Sequence, residues 1–303
     1  MPGGGQRRRA PQQPTGRQPT GRQQPTARQQ PTARQPTPRQ PGAPNPPGAH
    51  FLRDPALIRH LVRSSGAGPG HLTLDLGAGH GEITAALAAS GARVIAVERD
   101  PRAASGLRRR MAGSPLVTVL TADLREVPLP RREFLVVANI PFAAGTVLLR
   151  RLAGDPAVPL AGADLIIGWG AARALTVPIP RSAEMAWWTA RYEFRLVRRV
   201  PPHSFAPPPR VAAAHLSARP RPLTGSRTGQ ALLRHLLRAA YRHPSAPAQH
   251  AFSCLTNLGP RLPPPRALRR ALIEAGAHPG APATALTSAQ WHGLALWLAD
   301  GPG

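Results

Sequence analysis

The sequence predicts an α/β protein with a doubly wound parallel sheet, a small all-helical domain after it and a disordered basic tail before it. Three observations lead there. Between residues 71 and 168, short continuous apolar runs alternate with helical patterns of small residues, as in a parallel sheet whose strands are buried on both faces. The first run breaks into three glycines, Gly77, Gly79 and Gly81, before a helix. The chain also changes character near residues 49 and 220.

Residues 1–48 carry five Pro-Thr-x-Arg units and eight Arg without a single acid. Such a segment cannot bury a core and is expected to be disordered. It reads either as a nonspecific RNA-binding arm working through phosphate contacts or as a solubilising tail. Its start, "MPGGGQRRRAPQQ", has no apolar stretch behind the basic end and so is not read as a secretory signal. From Ala49 the pattern is globular. "HLTLDL" gives a strand over His71–Leu76, and "EITAALAAS" the helix after the glycines. "ARVIAVERD" gives a second strand, with Val94 to Val97 continuous, and a helix follows from Pro101 to about Met111 with proline in its first turn. "LVTVLTADL" and "FLVVAN" are the third and fourth strands, "GTVLLRRL" a helix and "ADLIIG" the fifth strand. "EMAWWTARYEFRLVRRV" reads as strand, because aromatic and β-branched residues dominate it. Beyond Pro220, "GQALLRHLLRAAYRH", "PRALRRALIEAGA" and "SAQWHGLALWLAD" carry apolar residues at three-to-four spacing and read as short helices. The expected division is therefore a tail over 1–48, an α/β domain over 49–220 and a helical domain over 221–303.

Charge narrows the partner. The net charge is +25, from 39 basic residues, all of them Arg, against 14 acidic ones. A polyanion is the natural partner of such a chain, nucleic acid first. From Phe194 to Ile273 there are fourteen Arg and no acid, which favours an RNA-facing surface over a solvated face of mixed sign. No apolar run approaches the ~20 residues of a membrane span. The single cysteine, Cys254, has no partner for a disulfide, suits a reducing cytoplasm, and reads as a small core residue. With eleven His in no ligand-like spacing, no metal site is expected. Trp187, Trp188, Trp291 and Trp297 read as core.

Acids at successive strand ends suggest a nucleoside site. Glycines after a strand let backbone approach a ligand, and the following helix N-terminus offers free N–H groups. The form here is Gly-x-Gly-x-Gly directly after the strand that holds Asp75. Glu98 ends the next strand, about 20 residues on, where a ribose diol would lie. Asp123 in "LTADL" ends the third and could receive an adenine amino group, and Asn139 ends the fourth.

In this order, "LDLGAGHG", "VIAVERD", "TADL" and "NIPF" resemble the S-adenosylmethionine-dependent rRNA adenine N6-methyltransferases, and most closely the Erm macrolide-resistance enzymes, relatives of the 16S rRNA adenine dimethylases. "GAHFLRDPALIRHLV" and "FAPPPRVAAAHLSARPRP" resemble that family's segments before the cofactor domain and near the domain junction. Ile140 in place of Leu and the Arg-rich extension point to the Erm branch. The resemblance implies a Rossmann-like domain that binds S-adenosylmethionine through His50, Leu52, Asp75, Gly77, Gly79, Glu98, Asp123, Leu124 and Asn139. His50 stands where the family has Asn, and an imidazole can still hydrogen-bond a carboxylate. It implies that Asn139 and Ile140 accept the two N6–H bonds of the target adenine, that Pro141 stiffens the loop and that Phe142 stacks the flipped base. Phe205 would cover the other face of the base, and Arg108, Arg109 and Arg110 could grip phosphates. The implied protein is a cytoplasmic monomer acting on 23S rRNA before ribosome assembly is complete, giving resistance to macrolide, lincosamide and streptogramin B antibiotics. The alternatives are a 16S rRNA dimethylase, a noncatalytic RNA-binding protein on the same scaffold, and a DNA adenine methyltransferase, usually marked by Asp-Pro-Pro-Tyr.

Overall fold

Alternating strands and helices build one mixed seven-stranded sheet with helices on both faces. The computed structural model describes residues 50–222, 227–253 and 263–300. The expectations for the 1–48 tail and for Cys254 lie outside the described residues.

In chain order the elements are β1 (Phe51–Leu52), α1 (Pro55–Ser65), β2 (Leu72–Leu76), α2 (Glu82–Ala89), β3 (Arg93–Glu98), α3 (Pro101–Met111), β4 (Val117–Thr121), β5 (Phe134–Asn139), α4 (Gly145–Gly154), β6 (Leu160–Gly168) and α5 (Trp169–Thr176). They continue with α6 (Ala183–Arg191), β7 (Tyr192–Val200), β8 (Phe205–Ala206), β9 (Ala213–Pro220), α7 (Arg227–Arg242), α8 (Ala248–Ser253), α9 (Pro265–Glu274) and α10 (Ser288–Asp300). Local chemistry sets several of these starts. Asp54 caps α1, its carboxylate accepting from the N–H groups of Ala56 and Leu57 at 2.9 and 3.1 Å, with Pro55 at the first position. Asp100 and Pro101 repeat the device at α3.

The sheet order is β4-β3-β2-β5-β6-β9-β7. The first five strands are parallel, as expected, whereas β9 runs antiparallel to β6 and β7 antiparallel to β9. The parallel run is extended at the β6 edge by these two antiparallel strands, which are joined by a return loop rather than a crossover helix. Period two separates the faces. Val137 and Ile166 belong to the core beneath α1 and α2, while Val136, Ala138, Leu165 and Ile167 face the larger core shared with α4, α6 and α7.

A correction concerns "EMAWWTARYEFRLVRRV". Its first half is helix α6, and only Tyr192–Val200 is strand. The Ser182 hydroxyl accepts from the Met185 N–H at 3.2 Å, an N-cap that outweighs the weak β preference of two tryptophans. Trp187 and Trp188 are buried on that helix, and Trp291 is buried on α10, its ring edge-on to Phe252 at 6.1 Å. The C-terminal helices dock through specific groups. Arg234 of α7 lies 4.4 Å over the Trp187 ring and donates to the Gly154 carbonyl, while His292 of α10 donates to the Ala190 carbonyl at 2.8 Å. Among the described residues no helix is long and apolar enough to cross a membrane.

Candidate nucleoside and base site

The strand order turns at β2, which lies between β3 and β5, and in such sheets ligands sit outside the carboxyl ends at that point. The loops after β2 and β5 meet there. A Cβ on Gly77 would lie 3.7 Å from both Pro141 Cδ and Leu124 Cδ2, so three strand ends converge on this glycine. Gly79 has φ 54°, and a Cβ on it would come within 2.7 Å of the Phe51 ring, so only glycine lets that ring lie over the loop. Phe51 also leans on His80, with ring centroids 4.4 Å apart. The resulting cleft is lined by Phe51, Leu52, Asp75, Gly77, Ala78, Glu82, Ile83 and Asn139.

Its electrostatics centre on Asp75. One carboxylate oxygen accepts from the Thr84 hydroxyl at 2.6 Å, and the other is buried without a partner. Burial pushes the Asp75 carboxyl up to about 7 against the opposing pull of Thr84. Glu98 accepts from the N–H groups of Gly79 and Asp100, each at 2.9 Å, and ties the end of β3 to the glycine loop. Asp123 is turned onto Arg125 in a two-pronged pair, with contacts of 2.6 to 3.1 Å. Hydrogen bonds from the Arg125 side chain and backbone hold it near 2. From α4, Arg151 donates to the Leu124 and Val127 carbonyls at 2.5 Å each and fixes the loop that follows β4.

The Asn139 amide nitrogen donates to the His50 carbonyl at 2.7 Å, which fixes the amide's orientation and leaves Oδ1 as an acceptor in the cleft. The Ile140 N–H donates to the Ile166 carbonyl at 2.9 Å, and its side chain is buried. After Pro141, a short turn over Phe142–Ala144 leads into α4. Phe142 is half-buried and stacks on His50 with centroids 5.9 Å apart and planes 29° apart. The His50 Nδ1 donates to the Pro207 carbonyl at 2.9 Å, so this imidazole faces the Pro207 loop and Phe142.

The structure thus gathers the His50 backbone, Leu52, Asp75, Gly77, Gly79, Leu124, Asn139, Ile140, Pro141 and Phe142 around one cleft, with Glu98 bonded to its glycine loop. Other positions stand apart. Phe205 is buried in the core beneath α1, its strand β8 pairing Leu52 of β1, and offers no ring face to a base. On α3, Arg108 donates to the Thr121 hydroxyl at 2.6 Å, Arg109 to Ser105 at 2.8 Å, and Arg110 to the His80 carbonyl and to Glu82. That helix packs on β3 and β4, and Arg110 is engaged with the glycine loop and Glu82 at the cleft. Contributors that the sequence reading does not single out include Phe51, Glu82, Thr84 and Arg151. Thr84 was findable as a hydroxyl on an apolar helix beside a buried acid. Arg151 meets its loop across 27 residues and left no local signal. Among the described residues, no group of three His, Cys, Asp or Glu is placed to hold a metal ion.

The profile described as "Ribosomal RNA adenine dimethylase" matches residues 47–225. The chain is 34% identical over 194 residues to the "Ribosomal RNA small subunit methyltransferase A" of Synechococcus sp. (strain JA-3-3Ab), covering 57% of this chain and 66% of that relative. That is just under two-thirds of the relative's length. The protein of the same name from Synechococcus sp. (strain RCC307) is 32% identical over 265 residues, covering 82% of this chain and 93% of its own. The solved structure of the 23S rRNA methyltransferase ErmE matches with a TM-score of 0.67 at 25% identity, over 81% of this chain and 98% of that one. Since the matched span runs from before the His50 strap to beyond β9, taking in the whole cleft, the chain belongs to the ribosomal RNA adenine dimethylase family.

Proposed function

We propose that the chain transfers methyl groups from S-adenosylmethionine to the N6 amine of an adenine in ribosomal RNA, with 23S rRNA as the substrate. The observation that carries the chemistry is Asn139: its amide nitrogen is already bound by His50, so its oxygen is left as an acceptor at the cleft. The likeness to ErmE and the Ile140 variant of the loop support 23S rRNA. A second reading, a 16S rRNA adenine dimethylase, is favoured by the relatives named for the small subunit, which align at higher identity.

The cleft suits the cofactor. The unpaired buried oxygen of Asp75 suits an ammonium group, the open glycine backbone suits close contact, and Glu98 keeps lone pairs free for ribose hydroxyls. When bound, S-adenosylmethionine supplies an electrophilic sulfonium methyl. The adenine amine is a weak nucleophile because its lone pair is delocalised into the ring. Asn139 Oδ1 and the Ile140 carbonyl, accepting its two N–H bonds, favour a tetrahedral nitrogen whose lone pair points at the methyl. Pro141 keeps that loop rigid, and the half-exposed Phe142 stacks the base. The methylated amine then loses its proton to water, so positioning is the main source of rate. We further assign residues 221–303 to RNA binding.

Asp75 gives this reading a pH dependence. Ionised Asp75 attracts the cofactor's ammonium group, and ionisation grows as pH rises through about 7. On the ionisation of Asp75 alone, affinity for S-adenosylmethionine is expected to rise roughly eightfold from pH 6 to 7.5. In Asp75→Asn the same calorimetric titration should be flat; a flat wild-type curve would remove Asp75 from the cofactor site.

The test of function is transfer of labelled methyl from S-adenosylmethionine to protein-free 23S and 16S rRNA. Label in 23S adenine is the expected result. Label confined to 16S establishes the second reading, and label in neither, with RNA still bound, overturns the enzyme assignment.

A further inference from the structure

The arginines expected to grip phosphate on α3 are bonded locally, which raises the question of where unengaged cations lie near Asn139. Two stretches without any acid, residues 165–183 and 194–273, meet at the carboxyl end of β6. Asn139 pairs with Ile166 there, and Gly168 touches the target-base loop, since a Cβ on it would lie 3.7 Å from the Phe142 ring. The next residue, Trp169, opens α5, and its N–H donates to the Ala212 carbonyl at 2.8 Å. Its half-buried ring packs on the core at one side, and the Arg199 guanidinium of edge strand β7 lies 5.5 Å from the ring centroid. Arg173 stands one turn along α5 from Trp169, on the same side of the helix. Arg173 and Arg199 are exposed, and among the described residues neither side chain has a hydrogen bond or ion pair.

We infer that the face formed by Trp169, Arg173 and Arg199 holds the single-stranded RNA next to the target adenine, a partner surface that rests on the reading above. With one side of the ring on the core and the Arg199 guanidinium over it, the exposed guanidinium plane, held by the ring, offers a stacking platform for a base of any sequence. Two exposed guanidiniums without an ion pair among the described residues can reach the phosphates of a strand, and no acid in these stretches repels it. The platform begins one residue past the wall of the Phe142 loop, so a nucleotide adjoining the flipped base reaches it without a gap. The face thus holds the strand while Asn139 and Phe142 hold the target.

The test measures binding of a short adenine-containing single-stranded oligoribonucleotide to the full chain by fluorescence anisotropy across a salt series. Arg173→Ala/Arg199→Ala is expected to weaken binding about tenfold and to flatten the salt slope by roughly 0.7 for each phosphate left without its arginine. Arg131→Ala/Arg132→Ala removes the same charge from exposed positions before β5 and should stay within about twofold of wild type. Trp169→Phe keeps a ring in place and should bind within about threefold while losing the tryptophan quenching that RNA produces. Equal binding by wild type and the Arg173/Arg199 variant overturns the inference, as does an equal loss in the Arg131/Arg132 control. Neither result depends on turnover, so a wild-type protein that binds this RNA through these arginines yet methylates no rRNA overturns the proposed activity and leaves the surface standing.

Discussion

Asn139→Ala is expected to lower the rate of methyl transfer to rRNA by about 10²–10³-fold, with a much smaller change in S-adenosylmethionine affinity. The size follows from what an acceptor does at a developing charge: removing one preorganised hydrogen-bonding group from such a site typically costs that factor. In this chain the amide is preorganised by its own donor, the Nδ2–H bond of 2.7 Å to the His50 carbonyl. Alanine removes the acceptor and its anchor together. Asn139→Asp separates the two, because a carboxylate can still accept but cannot donate to His50, and would face that carbonyl with like charge. Its rate should fall between wild type and alanine. Single-turnover rates at saturating RNA and cofactor, taken with melting curves, test this. A rate within tenfold of wild type in a folded Asn139→Ala would reduce Asn139 to a turn residue at the end of β5.

Much of this architecture is written locally. The five parallel strands could be read from continuous apolar runs, and the start of α3 from its proline, because burial on both faces and helix-start chemistry are short-range demands. The site could be read for the same reason. Asp75, Glu98, Asp123 and Asn139 lie at or within two residues of the ends of four strands, and a parallel sheet brings strand ends to one edge whatever the lengths of the helices between them. What could not be read depends on distant partners. α6 looked like strand because its tryptophans were weighed by residue type; their burial against α4 and α7 decides the matter. The arginines misled in a related way. Arg108, Arg109 and Arg110 form the densest basic triplet of the α/β region, yet each is hydrogen-bonded within the fold, whereas Arg173 and Arg199, 26 residues apart, are exposed and carry no ion pair among the described residues. Charge density along a sequence does not reveal which charges are already paired. His50 shows the limit for a substituted motif position. Its imidazole reaches Pro207, 157 residues away, and the part of it that serves Asn139 is its backbone carbonyl, which no residue type announces.

The largest stability effect is expected at Asp164, a residue no motif marks. It is fully buried in β6 and holds three donors: the Ser64 hydroxyl of α1 at 2.7 Å, His215 Nε2 of β9 at 2.7 Å, and Arg219 Nη2 of β9 at 2.6 Å. The same Arg219 nitrogen reaches the Ser64 carbonyl at 2.6 Å, closing a polar knot that fastens α1 across the sheet. Asp164→Ala leaves the buried His215 imidazole and the Ser64 hydroxyl without their acceptor and takes the carboxylate from Arg219, which keeps its backbone-carbonyl partners. Breaking a buried pair by removing one partner costs about 3–5 kcal/mol, which in a domain of this size lowers the melting temperature by about 10 °C. The pair as a whole contributes far less than that loss, because bringing both charges out of water offsets most of their attraction. The replacement Asp164→Leu/His215→Phe/Arg219→Met should therefore melt closer to wild type than Asp164→Ala does. Thermal and denaturant unfolding of both variants tests the point. If Asp164→Ala melts within about 2 °C of wild type, the knot does not hold α1. The consequence for function runs through α1 itself, whose capping residue Asp54 stands one residue beyond the Phe51–Leu52 strand: a helix released at Ser64 loosens the wall of the cleft, so cofactor affinity should fall in Asp164→Ala below its melting point and recover in the apolar triple variant.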